Sequence, residues 1–295
     1  MRFGLSPHFD SFASLRTALE GAVADGFTSA WISNIFAYDA LTTLAVVGGQ
    51  VPGIELGTAV VPTYPRHPAA LAQQALTTDL ALEGRLALGI GLSHQVVIER
   101  MYGYSFDRPA AHMQEYLQIL LPLIREGKVK TRGETLSANL ALSIPSTGAM
   151  PVLIAAMAPR MLHLAGAVAD GTVLWMTGPK TIRDHVVPAI TAAAAEAGRP
   201  SPRVVCQLPV CVTDDPAAAR TRADEVFQVY GTLPSYRAML DREGAKGPGD
   251  VAVVGDEGSV RDQIEELAAA GVTDFVAAEY LNRARTRALL KELMP

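Results

Sequence analysis

The chain has 295 residues, 49% hydrophobic and 19% charged, which supplies a large core and gives no compositional sign of disorder. A formal net charge of −5 argues against a general nucleic-acid surface. Gly, Pro or charge interrupts every apolar run short of the ~18 residues that a membrane helix needs. The length suits one α/β barrel, about 250 residues plus insertions, so residues 1–295 are read as a single domain.

Strand-like and helix-like segments alternate along the chain, the pattern of parallel βα units. Strands are expected at 2–6, 28–32, 54–60, 85–90, 152–155, 171–174, 203–212 and 273–277. Helices are expected at 12–25, 39–49, 69–82, 109–126, 159–168, 181–197, 216–230 and 259–270, with a closing helix at 283–293. Residues 1–8 carry one basic residue and too short an apolar run for a signal-peptide core. Cys206 and Cys211 lie five apart on one expected strand, so they face opposite sides and cannot pair with each other, which fits a reducing cytoplasm. Two segments break the alternation: a hairpin-like insertion at about 128–144, and a Gly-rich one at about 233–255. Such insertions in a barrel usually lie over the C-terminal face, where active sites form.

The most informative stretch runs from Ile54 to His94. Gly57 interrupts a β-branched strand that empties into Pro62-Thr63-Tyr64-Pro65-Arg66-His67-Pro68, where the prolines forbid helix until Pro68. After the next helix, Gly84 stops the chain and Arg85-Leu86-Ala87-Leu88-Gly89-Ile90-Gly91 reads as a buried strand. Gly89-Ile90-Gly91 fails as a dinucleotide fingerprint because His94 stands where the third Gly belongs. Gly91-Leu92-Ser93-His94-Gln95 fails as a nucleophile elbow because Gln95 replaces the second Gly. No metal-spaced histidines or Cys cluster occur in the sequence, so no metal site is expected.

His94 sits at the end of an expected barrel strand, where barrel enzymes place chemistry, and an ordinary histidine pKa of about 6.5 suits proton exchange. It is read as the candidate proton donor, or else as a structural hydrogen-bonding group. Asn34 would assist it. His8 and His67 are weaker candidates, and His163 and His185, on expected helices, are read as structural or solvated. Ala155-Ala156-Met157-Ala158-Pro159 is a small-residue turn into a helix start; such a turn packs a barrel tightly or lets a ligand phosphate reach free N–H groups. Trp175 is a stacking wall or core, and Ile35, Phe36 and Met157 suggest a partly apolar small-molecule substrate.

Five segments, in this order and spacing, resemble the luciferase-like family of (β/α)8 flavin and deazaflavin oxidoreductases over nearly the whole chain. They are Ala24-Asp25-Gly26-Phe27 with Ser29-Ala30-Trp31, Leu56-Gly57-Thr58-Ala59-Val60 with Arg66-His67-Pro68, the strand from Gly84 to Gly91, Ala155-Ala156-Met157-Ala158-Pro159, and Ala169-Asp170-Gly171. Through residues 57–68, 88–94 and Trp175-Met176-Thr177-Gly178-Pro179 the chain looks most like the actinobacterial branch assigned to coenzyme F420. The resemblance implies a cofactor across the C-terminal mouth, its ring on a bulge at Ala59-Val60 with a non-prolyl cis peptide there. Its phosphate would meet the backbone of Gly91, Leu92, Ser93, Ala156, Met157 and Ala158, with Ser6, Ala155, Trp175 and Thr177 completing the binding set. It further implies hydride transfer at the deazaflavin C5 and a possible homodimer. Relatives that carry a His after the second strand find Ile35 here, and Ala158 stands where Gly is usual. An FMN-dependent monooxygenase or reductase, a non-catalytic flavin carrier and a cofactor-free barrel hydrolase or lyase are the alternatives.

Overall fold

The structure is a computed structural model and describes residues 1–148 and 150–294. Its strands are β1 (Arg2–Leu5), β2 (Ser29–Ile32), β3 (Glu55–Thr58), β4 (Val61–Pro62), β5 (Leu86–Gly91), β6 (Lys128–Arg132), β7 (Ser137–Ala141), β8 (Val152–Ile154), β9 (Gly171–Trp175), β10 (Arg203–Val212), β11 (Val253–Gly255) and β12 (Asp274–Glu279). Parallel pairing runs β1–β2–β3–β5–β8–β9–β10–β12 and returns from β12 to β1. The result is a closed (β/α)8 barrel with β4 and β11 added to β5 and β10.

Local signals set the helix ends. The helix α1 (Phe12–Asp25) opens on a Ser11–Ser14 capping box and stops at Gly26, φ +92°, a left-handed position that favours glycine. The helices α2 (Ala40–Gly48), α3 (Pro68–Ala81), α4 (Pro109–Glu126) and α5 (Pro159–Ala167) follow, the last three each with Pro in the first turn, where a missing N–H costs nothing. The expected helix 181–197 is divided: a π-turn, Ile182–Val186, precedes Val187–Glu196, because Pro188 has no N–H to carry the α-helical ladder through. A second π-turn, Val97–Met101, was not expected at all.

The barrel interior is a compact cluster of Trp31, Ala87, Leu153, Val173, Val205 and Val276, while the larger core lies between strands and helices. At the N-terminal end Arg203 bridges Glu55 (2.8 Å) and Asp274 (2.6 Å). Cys206 and Cys211 are both buried and free, in different clusters, as opposite faces of one strand require. The β6–β7 hairpin lies along α4, and Glu115 on α4 accepts from the backbone N–H groups of Glu134 (2.8 Å), Thr135 (2.9 Å) and Leu136 (2.9 Å). No helix among the described residues is long and apolar enough to cross a membrane.

Candidate active site

The C-terminal strand ends converge on a cavity of about 1670 Å³, larger than the ~300–1,000 Å³ of a usual single-ligand site. Of the residues singled out from sequence, Ser6, Asn34, Ala59, Val60, Gly91, Leu92, Ser93, His94, Ala155, Met157, Ala158 and Trp175 line it. Two do not. Ala156 is fully buried and its N–H donates to Thr172 Oγ1 (3.2 Å), and Thr177 is buried with its hydroxyl on the Trp175 carbonyl (3.2 Å). The Ala156 N–H and the Thr177 hydroxyl are thus engaged beneath the mouth rather than in it.

The floor is formed where β3 gives way to β4. The Ala59–Val60 peptide is cis, as expected, and Val60 packs directly on β5 because Gly91 leaves room: a Cβ at Gly91 would lie 2.6 Å from Val60 Cγ2. Ser6 is held from the other side by Gln207, whose Nε2 donates to its hydroxyl (2.8 Å).

The opposite wall is the start of α5. Ala158 is its N-cap with no side-chain cap, and Leu162 N–H is the first to bond back, to the Ala158 carbonyl (2.9 Å). The N–H groups before it are free of intrahelical partners. Arg160, beside them, lines the mouth and has no carboxylate partner among the described residues. Those N–H groups and this guanidinium make one positive corner fit for a phosphate. His185, read from sequence as structural or solvated, supports the same corner: its Nε2 is 2.8 Å from the Met157 carbonyl. His163 is exposed on α5, and His67 caps α3 through Nδ1, which accepts from Ala69 N–H (3.2 Å). His8 does line the cavity.

His94 is half-buried, its ring 5.5 Å from that of Tyr236. Burial pushes its pKa below the ordinary 6.5, because the cation loses hydration; near neutrality the ring is neutral. Asn34 spends its Oδ1 on the Ala40 N–H at the start of α2 (2.9 Å), so only its amide N–H₂ remains for the mouth.

Sequence reasoning missed the third wall. Trp175 meets Phe227 (5.5 Å between centroids) and Tyr230 (5.6 Å), Phe227 meets Tyr280 (6.0 Å), and Tyr230 meets Tyr236 (5.1 Å), all edge-to-face. Burial raises the tyrosine pKa values, so the hydroxyls stay protonated. The Trp175 Nε1 is buried without an acceptor among the described residues. Tyr236 comes from the 233–255 insertion; its being the one aromatic residue of that stretch was the available signal.

A family model described as luciferase-like monooxygenase matches residues 4–274. The chain is similar to a 5,10-methylenetetrahydromethanopterin reductase of Methanolobus tindarius, 27% identical over 91% of this chain and 90% of the relative. It is similar also to a putative coenzyme F420-dependent oxidoreductase of Mycobacterium tuberculosis, 28% identical over 90% and 89%. The solved structure of the coenzyme F420 dependent tetrahydromethanopterin reductase from Methanopyrus kandleri shares the fold, with a TM-score of 0.84 at 23% identity over 99% of this chain and 98% of that one.

Proposed function

The chain belongs to the luciferase-like monooxygenase family, and from that premise we propose that it is an F420-dependent oxidoreductase acting on a small organic substrate. One observation carries the reading: a single mouth of about 1670 Å³ has a positive corner at α5 and, apart from it, a flat small-residue floor. That volume accommodates a cofactor and a substrate side by side. The F420-dependent relative in Mycobacterium tuberculosis supports the choice of cofactor.

When bound, the deazaflavin supplies a hydride at its ring C5. The chain's own residues do the rest. Ala59 and Val60 would back the ring, and the α5 N–H groups with Arg160 would hold the phosphate. The apolar lining keeps water from the reacting atoms, and His94 exchanges a proton with the substrate oxygen or carbon that changes oxidation state. Ile35 offers no proton, so His94 is the residue of choice for that role, with the Asn34 amide orienting the substrate.

Fluorescence titration of the purified protein with F420 and with FMN tests the reading. Tighter binding of F420 is expected; equal or tighter FMN binding would replace the deazaflavin assignment with a flavin one. Binding without turnover of any ketone, alcohol or enone acceptor would make the protein a carrier.

A further inference from the structure

The four edge-to-face contacts above join five rings, Tyr236, Tyr230, Trp175, Phe227 and Tyr280, into one continuous wall, and the His94 ring extends it at 5.5 Å. All six rings line the cavity and are half-buried, so each still presents surface to it. The wall spans the mouth from the end of β5 to the end of β12. The rim of the same cavity is apolar as well: of the thirteen exposed large apolar side chains of the described residues, seven line it, Ile35, Phe36, Met101 and Val229 among them. Exposed apolar side chains scattered over a surface need no explanation, but their concentration at one opening does.

Most charges on this side are paired. Arg108 is paired with Glu134 (2.8 Å) and Arg222 with Glu225 (2.8 Å). Glu279 is taken by Arg287 (2.5 Å), whereas Arg283, exposed at the rim, has its Nε on the Glu279 carbonyl (3.3 Å) and no carboxylate partner among the described residues. Two guanidiniums of the lining are left without a carboxylate, Arg160 at the α5 corner and Arg283 in solvent at the rim, and neither belongs to the row of rings.

We propose that the substrate is a neutral, flat, ring-bearing molecule of at least two fused or linked rings, bound along this aromatic wall, with Phe227, Tyr230 and Tyr236 determining specificity. The inference rests on the F420 reading of the same mouth. A planar apolar face gains from the ring edges and from desolvation together, whereas a carboxylate laid against these rings must lose hydration where the wall itself carries no cation.

Calorimetric titration of the F420-loaded protein tests this with three methyl ketones: 2-acetonaphthone, its 6-carboxylate analogue and acetone. 2-Acetonaphthone should bind at least about tenfold more tightly than the carboxylate and far more tightly than acetone. Phe227→Ala should weaken 2-acetonaphthone binding about tenfold and leave acetone almost unaffected. Phe227→Leu, which keeps apolar volume without the ring, should show most of that loss and guards against misfolding of the alanine variant. Equal or tighter binding of the carboxylate, or an unchanged affinity in both Phe227 variants, overturns the proposal. F420 binding is measured first and separately. If it fails, the functional reading falls, and the ketone titrations on the cofactor-free protein still decide whether the wall selects neutral rings.

Discussion

At the scale of single residues, His94 and Ala158 give the sharpest expectations. With the His94 pKa pushed below 6.5 by burial, its protonated form exists only on the acid side. A reduction that takes its proton from His94 should therefore be fastest at low pH and fall as pH rises through that lowered value; the reverse oxidation should rise through the same inflection. His94→Ala should reduce turnover by roughly 100-fold or more and remove the inflection, with little change in melting temperature. A pH–rate profile of both proteins checks it, and an inflection that survives in the variant would assign the proton to another group. Ala158→Asp separates binding from folding. Aspartate is a favoured N-cap and would add about 0.5–2 kcal/mol of helix stability to α5, yet its carboxylate would occupy the N–H groups and repel a phosphate. F420 affinity should fall by an order of magnitude or more while the melting temperature holds or rises. Most of the cavity lining was legible one residue at a time, since strand ends and small-residue turns advertise themselves; that Ala156 and Thr177 lie beneath the mouth was not, because adjacency in sequence does not say which way a residue faces.

At the scale of elements, boundaries were legible where a cap or a proline sits at the end. Residues 12–25 and 109–126 were expected and found as Phe12–Asp25, with its Ser11 capping box, and Pro109–Glu126, with its N-terminal Pro. The two π-turns were not: Pro188 was visible but does not say that the ladder shifts to π pairing before it, and Val97–Met101 is an isolated turn between β5 and α4. The aromatic wall was hidden for a related reason: Phe227 and Tyr230 read as one helix, whereas the chain breaks at Phe227 between Pro216–Val226 and Gln228–Thr232. The hairpin offers a test at this scale. Backbone N–H groups, that of Thr135 foremost, hold Glu115 at a pKa of about 2, against an ordinary 4.5. A depressed carboxylate contributes what it does above its unfolded value and loses it as pH falls through the folded one. Protection of the Glu134, Thr135 and Leu136 amides from hydrogen exchange should thus hold at pH 5 and fade between about 4.5 and 2. Glu115→Ala should abolish it at all pH values while the amides of β5 stay protected. Unchanged protection in the variant would mean that strand pairing alone holds the turn.

At the scale of the whole molecule, the barrel closes around one large ring. Trp31 is fully buried inside it, its indole Nε1 donating to Ser29 Oγ (3.0 Å), and the space for that ring is made on the adjacent strand by Gly57, where any Cβ would fall on the indole six-membered ring. The same Gly57 that looked from sequence like a flaw in a strand is thus the complement of Trp31, and the alternating pattern that disclosed eight βα units could not disclose this pairing because it lies between strands. Gly57→Ala should therefore destabilise the protein through overpacking, by about 1–3 kcal/mol. The figure corresponds to a fall of roughly 2–4 °C in melting temperature per kcal/mol for a chain somewhat shorter than this one, readable by calorimetry. Trp31→Phe should leave space for the added methyl and recover part of the loss, so that the double variant is more stable than the sum of the single effects. Strict additivity would show that the two residues do not fill a shared volume. Because β3 leads directly into the Ala59–Val60 floor, Gly57→Ala should also weaken F420 binding more than an equally destabilising substitution on the far side of the barrel, such as Val260→Ala on the helix Glu257–Ala269; equal effects would uncouple the packing of the interior from the site above it.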